Sequence, residues 1–123
     1  AGLAMLEPPE GMENVEEIVT TPGLTGVYIG PSDLALALGL PAYGDQPQEE
    51  HLETVKHILA ICKKHGVVSG MHTSSLEYTK KYLDLGFNMV MLGSDSAFMM
   101  RTAGKELAEA KGAIVESGES TGY

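Results

Sequence analysis

Short apolar runs alternate along this chain with longer segments in which apolar residues recur every three or four positions. The runs are Leu3–Leu6, Gly26–Gly30, Val67–Met71 and Phe87–Leu92, and each reads as a buried strand. The spacing between them predicts helices. Over 11–20 it sets Met12, Val15, Ile18 and Val19 on one face, and Thr21-Pro22-Gly23 ends the segment. Over 48–65 it gives the longest helix, with Leu52, Val55, Leu59 and Cys62 as the buried stripe. Lys63, Lys64 and His65 suit the C-terminal dipole of that helix, and Gly66 suits its stop. Residues 75–85 read as a helix capped by Ser75 and stopped by Gly86, and 96–111 as the last helix. Asp33–Leu38 reads as one helical turn, 39–47 as a loop and 118–123 as a frayed tail.

Four strands, each followed by helical sequence, predict an α/β fold with a parallel sheet covered on both faces. Reactive residues gather just after the strands. Glu7 follows the first, Pro31-Ser32-Asp33 the second, His72-Thr73-Ser74 the third and Gly93-Ser94-Asp95-Ser96 the fourth. Function at the C-terminal ends of parallel strands is the rule in (β/α) barrels and open α/β sheets alike. If the first two strands are neighbours, Glu7 and Asp33 reach the same sheet edge and can share one divalent ion. No Gly-x-Gly-x-x-Gly or Walker sequence supports a nucleotide site.

Composition narrows the function classes. The 123 residues suit one domain with a real core, and 43% hydrophobic content is ordinary for a globular chain. No apolar run approaches the roughly 18–20 residues of a membrane span, and no signal-peptide pattern opens the chain. A net charge of −9 argues against nucleic-acid binding, which needs clustered Lys and Arg. One cysteine, Cys62, builds no disulfide framework, so a cytoplasmic location is expected. Cys62 falls in the apolar stripe and reads as a packed thiol. His51, His57 and His65 read as surface residues of the long helix. The methionines, including Met89, Met91, Met99 and Met100, read as core filler or interface contacts. The simplest reading of Glu7 and Asp33 is helix capping, as it is for Ser74, Ser75, Ser94 and Ser96.

The segments Leu6-Glu7-Pro8-Pro9-Glu10-Gly11-Met12-Glu13-Asn14-Val15 and Gly26-Val27-Tyr28-Ile29-Gly30-Pro31-Ser32-Asp33-Leu34 resemble the metal-site segments of the HpcH/HpaI aldolases. Gly39-Leu40-Pro41, Gly70-Met71-His72 and Val90-Met91-Leu92-Gly93-Ser94-Asp95 resemble later segments of the same family. These are class II, pyruvate-dependent aldolases of 4-hydroxy-2-oxo acids and 2-keto-3-deoxy sugar acids. The resemblance runs to about Lys111. It implies a domain over 1–111 that forms the C-terminal half, strands five to eight, of a (β/α)8 TIM barrel, with 112–123 as a poorly ordered tail.

The resemblance further implies that Glu7 and Asp33 ligate Mg2+, Mn2+ or Co2+, which holds pyruvate through its carboxylate and ketone oxygens. Backbone groups of Gly30, Pro31 and Ser32 would help hold the carboxylate, with His72 and Ser94 as weaker substrate contacts. The family's base, a His, and its Arg belong to the N-terminal half, so no catalytic residue is assigned in this chain. The expected partners are a small oxo acid and further copies of the chain, relatives commonly forming hexamers. Half a barrel is expected to be a truncated piece, a proteolytic fragment or a half that completes itself by self-association. The start without Met, almost at a strand, favours truncation. The leading function is a metal-dependent carbon–carbon lyase. The alternatives are a catalytically incomplete fragment and a citrate-lyase-like or malyl-CoA-lyase-like barrel enzyme.

Overall fold

The computed structural model describes residues 2–6, 11 and 13–112. The chain divides into two compact units, the first ending at Leu92 and the second beginning at Gly93. In the first unit the order is β1 (Gly2–Leu6), α1 (Val15–Val19), β2 (Leu24–Ile29), α2 (Pro31–Ala37), α3 (Glu49–His65), β3 (Val68–Met71), α4 (Leu76–Leu85) and β4 (Met89–Val90). The second unit holds α5 (Asp95–Lys111).

All strand pairs are parallel, and the spatial order is β1-β2-β3-β4. Each strand therefore lies beside its predecessor, and the order never reverses. Right-handed crossovers in such a sheet put every connecting helix on the same side. A doubly wound sheet would instead reverse at a switch point and carry helices on both sides.

Burial divides the two faces accordingly. Leu6, Ile29 and Met71 are in register with one another, and Val27 lies on the same face. All four are buried in one cluster with Val15 and Val19 of α1, Val55, Ile58, Leu59 and Cys62 of α3, and Tyr82 of α4. The other face carries Leu3, Met5, Tyr28 and Met89. Leu3 is 48% exposed, Met5 57% and Met89 38%. The expectation of a sheet covered on both faces is thus corrected within the first unit: helices cover one face only.

The helix ends follow their sequence signals. Gly66 and Gly86 stop α3 and α4 with φ of 68° and 98°, a left-handed conformation that glycine adopts without strain. Ser75 Oγ accepts the Tyr78 N–H at 3.3 Å and caps α4. The buried side of α3 is His51, Val55, Ile58, Leu59 and Cys62. Val55, Leu59 and Cys62 are buried as expected, Leu52 is only partly buried, and His51 and Ile58 complete the stripe. His51 is fully buried, which corrects its reading as a surface residue.

The fourth strand is much shorter than the expected 87–92. The ladder extends through the Met91 N–H to Met71 O at 3.1 Å, but Met91 O then accepts from the Thr73 and Thr79 hydroxyls. At the start, the Asn88 side chain takes the Ser69 N–H at 3.0 Å. Side chains at both ends thus occupy groups that a longer ladder would use. Among the described residues, no helix is long and apolar enough to cross a membrane. The tail expected over 112–123 lies outside the described residues apart from Gly112, the C-cap of α5.

Candidate active site at the strand ends

Register brings the C-terminal ends of the strands level. Leu6 pairs with Ile29, Ile29 with Met71, and Met71 with Val90. The next described positions along the edge are Gly30, His72 and Met91. Glu7 itself lies outside the described residues.

Gly30 is buried and extended, and serves as the N-cap of α2. Pro31 takes the first helical position, where its missing N–H costs nothing and its ring presets φ. Asp33 is therefore inside the first turn, and the helix begins two residues before the expected turn. Asp33 does not serve as the N-cap; Gly30 does. Its side chain is exposed and makes no hydrogen bond or ion pair with any described residue. Ser32 donates its hydroxyl to Tyr43 O at 3.1 Å. The N–H groups of Ser32 and Asp33 are first-turn amides, which have no partner within a helix.

His72 follows β3 and is partly buried. Its Nδ1 lies 3.3 Å from the Tyr28 hydroxyl, and the two rings meet edge to face at 6.2 Å. Burial raises the Tyr28 phenol above its ordinary pKa, so it stays protonated and can donate to His72. Ser94, in the second unit, caps α5: its Oγ accepts the Ala97 N–H at 3.2 Å and lies 3.0 Å from Ser96 Oγ.

Three residues at this edge escaped sequence reasoning. Gln46 is buried and donates to Pro41 O at 2.9 Å and Tyr43 O at 3.0 Å. Asp45 accepts the Ser74 N–H at 2.9 Å. Gln46 thus holds the α2–α3 loop together from within, and Asp45 ties that loop to the segment after β3. His51 Nε2 lies 3.2 Å from Pro31 O, and burial lowers the imidazole pKa, which keeps it neutral. The one available signal was for His51: it lies four positions before Val55 in the helical period.

Other reactive groups lie apart from this edge. Burial raises the Cys62 thiol pKa, as suits a packed side chain rather than a nucleophile. Met99 and Met100 are 67% and 75% exposed and fill no core.

A hard divalent ion takes oxygen ligands and retains positions for substrate and water. An exposed, unpaired carboxylate on Asp33 suits such an ion. Among the described residues, no three His, Cys, Asp or Glu side chains converge as a metal cluster. The described donor set therefore consists of Asp33 alone.

A parallel sheet whose strands follow one another in sequential order, with helices between them, defines an α/β protein. The HpcH/HpaI aldolase/citrate lyase family profile matches residues 2–102, and the chain belongs to that family. A 5-keto-4-deoxy-D-glucarate aldolase of Klebsiella pneumoniae is 39% identical over 108 residues, 88% of this chain and 41% of the relative. A hydroxypyruvate/pyruvate aldolase of Paraburkholderia phytofirmans is 29% identical over 111 residues, 90% of this chain and 42% of the relative. Among solved structures, an HpcH/HpaI aldolase/citrate lyase family protein of Burkholderia cenocepacia superposes with a TM-score of 0.81 at 27% identity. That match covers 89% of this chain and 42% of the other. The chain spans about two fifths of the length of these relatives.

Proposed function

We propose that this chain is strands five to eight of a (β/α)8 barrel and carries the metal-binding edge of a class II aldolase. The observation that carries the reading is the level edge of β1 and β2. Leu6 pairs with Ile29 there, and the unpaired Asp33 carboxylate lies in the first turn of the helix that follows β2, which supports a shared site with Glu7. Glu7 and Asp33 would hold the ion, Mg2+, Mn2+ or Co2+. When bound, it would polarise the substrate ketone and offset the negative charge that builds as the carbon–carbon bond breaks.

The substrate class is a 4-hydroxy-2-oxo acid, and the names of the aldolase relatives support it. Cleavage breaks the bond between C3 and C4. The 4-hydroxyl loses its proton and becomes an aldehyde, while C3 takes up a proton and becomes the methyl of pyruvate. The groups that move these protons belong to the barrel half preceding strand five. In this half, the Ser32 and Asp33 amides face the pyruvate carboxylate, Gly30 leaves room for close approach, and Pro31 fixes the turn. His72, at the end of β3, would be a weaker substrate contact.

The test has two arms. Titration of the chain with Mn2+ should show binding that weakens at least tenfold in Asp33→Ala and in Glu7→Ala. Pyruvate release from a 4-hydroxy-2-oxo acid, measured on the chain joined to a completing half barrel, should vanish in the same variants. Activity or affinity that persists in both variants would remove the reading.

A further inference from the structure

Two buried polar side chains brace the segment that carries Asp33, and the site reading uses neither. His51 lies in the first turn of α3 with its ring wholly out of solvent. Its Nε2 is 3.2 Å from Pro31 O. A carbonyl oxygen only accepts, so Nε2 carries the proton and Nδ1 is a bare acceptor. That Nδ1 is buried without a partner among the described residues. Every other buried position on this helix is apolar: Val55, Ile58, Leu59 and Cys62. Packing alone would favour an aliphatic residue at 51, because a buried nitrogen without a partner is costly. The imidazole contributes instead the bond to Pro31.

Gln46 works from the other side. It is 1% exposed and holds Tyr43 O, the carbonyl that also accepts the Ser32 hydroxyl. The two residues before Asp33 are thus tied to a buried imidazole and, through Tyr43, to a buried amide. The helix they begin needs such outside support. It has seven residues, and its N-cap, Gly30, has no side chain to cap it. So short a helix has little stability of its own.

We propose that His51 is a positioning residue of the Asp33 site. With Gln46 it clamps Pro31 and Ser32, so that the Asp33 carboxylate and the adjoining amides hold one orientation toward a divalent ion and an anionic substrate group. This rests on the metal reading above.

The test compares His51→Leu, His51→Gln and Gln46→Leu in this chain. Mn2+ affinity is measured by calorimetry, and exchange of the Leu34 and Ala35 amides is measured by NMR without metal. His51→Leu should weaken Mn2+ binding by about tenfold or more, the usual effect of losing a group that orients a ligand. It should also speed exchange at Leu34 and Ala35 while leaving α4 unchanged. His51→Gln places an N–H where Nε2 lies and should restore both. Gln46→Leu should weaken binding with His51 intact.

Wild-type affinity and exchange in His51→Leu would overturn the proposal, as would equal losses in His51→Leu and His51→Gln. If the wild type binds no Mn2+, the metal reading falls while the exchange rates still decide the clamp. If His51→Leu does not fold, Gln46→Leu decides: faster exchange at Leu34 supports the clamp, and wild-type exchange overturns it.

Discussion

Gly26 and Gly70 both lie on the sheet face away from the helices, each wedged between larger neighbours. A Cβ on Gly26 would stand 2.6 Å from Val68 O and 2.8 Å from Leu3 Cδ2. A Cβ on Gly70 would stand 2.6 Å from Tyr28 Cδ2 and 2.9 Å from Met89 Cε. Alanine in a strand would otherwise be favoured over glycine by about 0.5–1 kcal/mol. Here the clash reverses the sign, but unequally. At Gly70 the atoms within 3 Å are side chains, the Tyr28 ring and the exposed Met89 end, which shift more readily than a backbone. At Gly26 the obstacle is backbone, which cannot move without breaking the β2–β3 pairing. Gly26→Ala should therefore fall at the upper end of the about 1–3 kcal/mol typical of overpacking, and Gly70→Ala at the lower end. Urea unfolding of the two variants measures this. Equal or negligible losses would show that this face is looser than its spacing indicates.

At the scale of elements, α1 and α3 are tied across the helical layer by one exposed carboxylate. Glu16 accepts from Lys64 and, at 2.8 Å, from His65. The hydrogen bond from Lys64 and then that from His65 hold its pKa at about 2, below the usual 4.5. A carboxylate with a depressed pKa stabilises the folded state above its unfolded pKa, and that stabilisation is lost as pH falls through the folded value. Thermal melts of wild type and Glu16→Gln should therefore differ at pH 6 and converge between about pH 4.5 and 2. The group is exposed, so 1 M salt should shrink the difference at pH 6 as well. A difference that survives at pH 2 would point to lost packing rather than lost charge.

The same elements show what periodicity can and cannot report. The ends of α3 and α4 were legible because Ser75, Gly66 and Gly86 act locally, each within one turn of the residue it caps. The stripe of α3 was legible at Val55, Leu59 and Cys62, but an apolar template skips a polar residue, and His51 is the polar member of the buried stripe. The length of β4 was overestimated because Phe87–Leu92 is apolar apart from Asn88. Its limits come from Thr73, Thr79 and Asn88, which meet the ladder from elsewhere in the chain. Asp33 was legible as a candidate from its place after a strand. Gln46, Asp45 and Tyr28 were not, because their roles depend on contacts that loop geometry sets and spacing does not encode.

At the scale of the molecule, the uncovered sheet face carries the strongest consequence. Register sorts its residues into two rows across the strands: Leu3, Gly26 and Val68, then Met5, Tyr28, Gly70 and Met89. Glycine stands between larger side chains in both rows, Gly26 between Leu3 and Val68 and Gly70 between Tyr28 and Met89. The interior of a (β/α)8 barrel is filled by layers whose members come from alternate strands, so a small residue on one strand makes room for a large one on another. The two rows fit half of such an interior, and in the proposed barrel the preceding half would fill the remainder. In the isolated chain, Leu3 and Met5 are about half exposed, and among the described residues β1 has no partner on its outer side. Apolar faces and open edges of this kind draw other chains. Sedimentation equilibrium of the isolated chain should accordingly give a mass above the 13.0 kDa of one copy. Met5→Glu, which charges the middle of the face without touching the helical core, should return the mass toward one copy. The same substitution in a completed barrel should instead destabilise it, because the position would then be enclosed. A wild-type chain that stays at 13.0 kDa at tens of micromolar and binds no hydrophobic dye would overturn the half-barrel reading of this face.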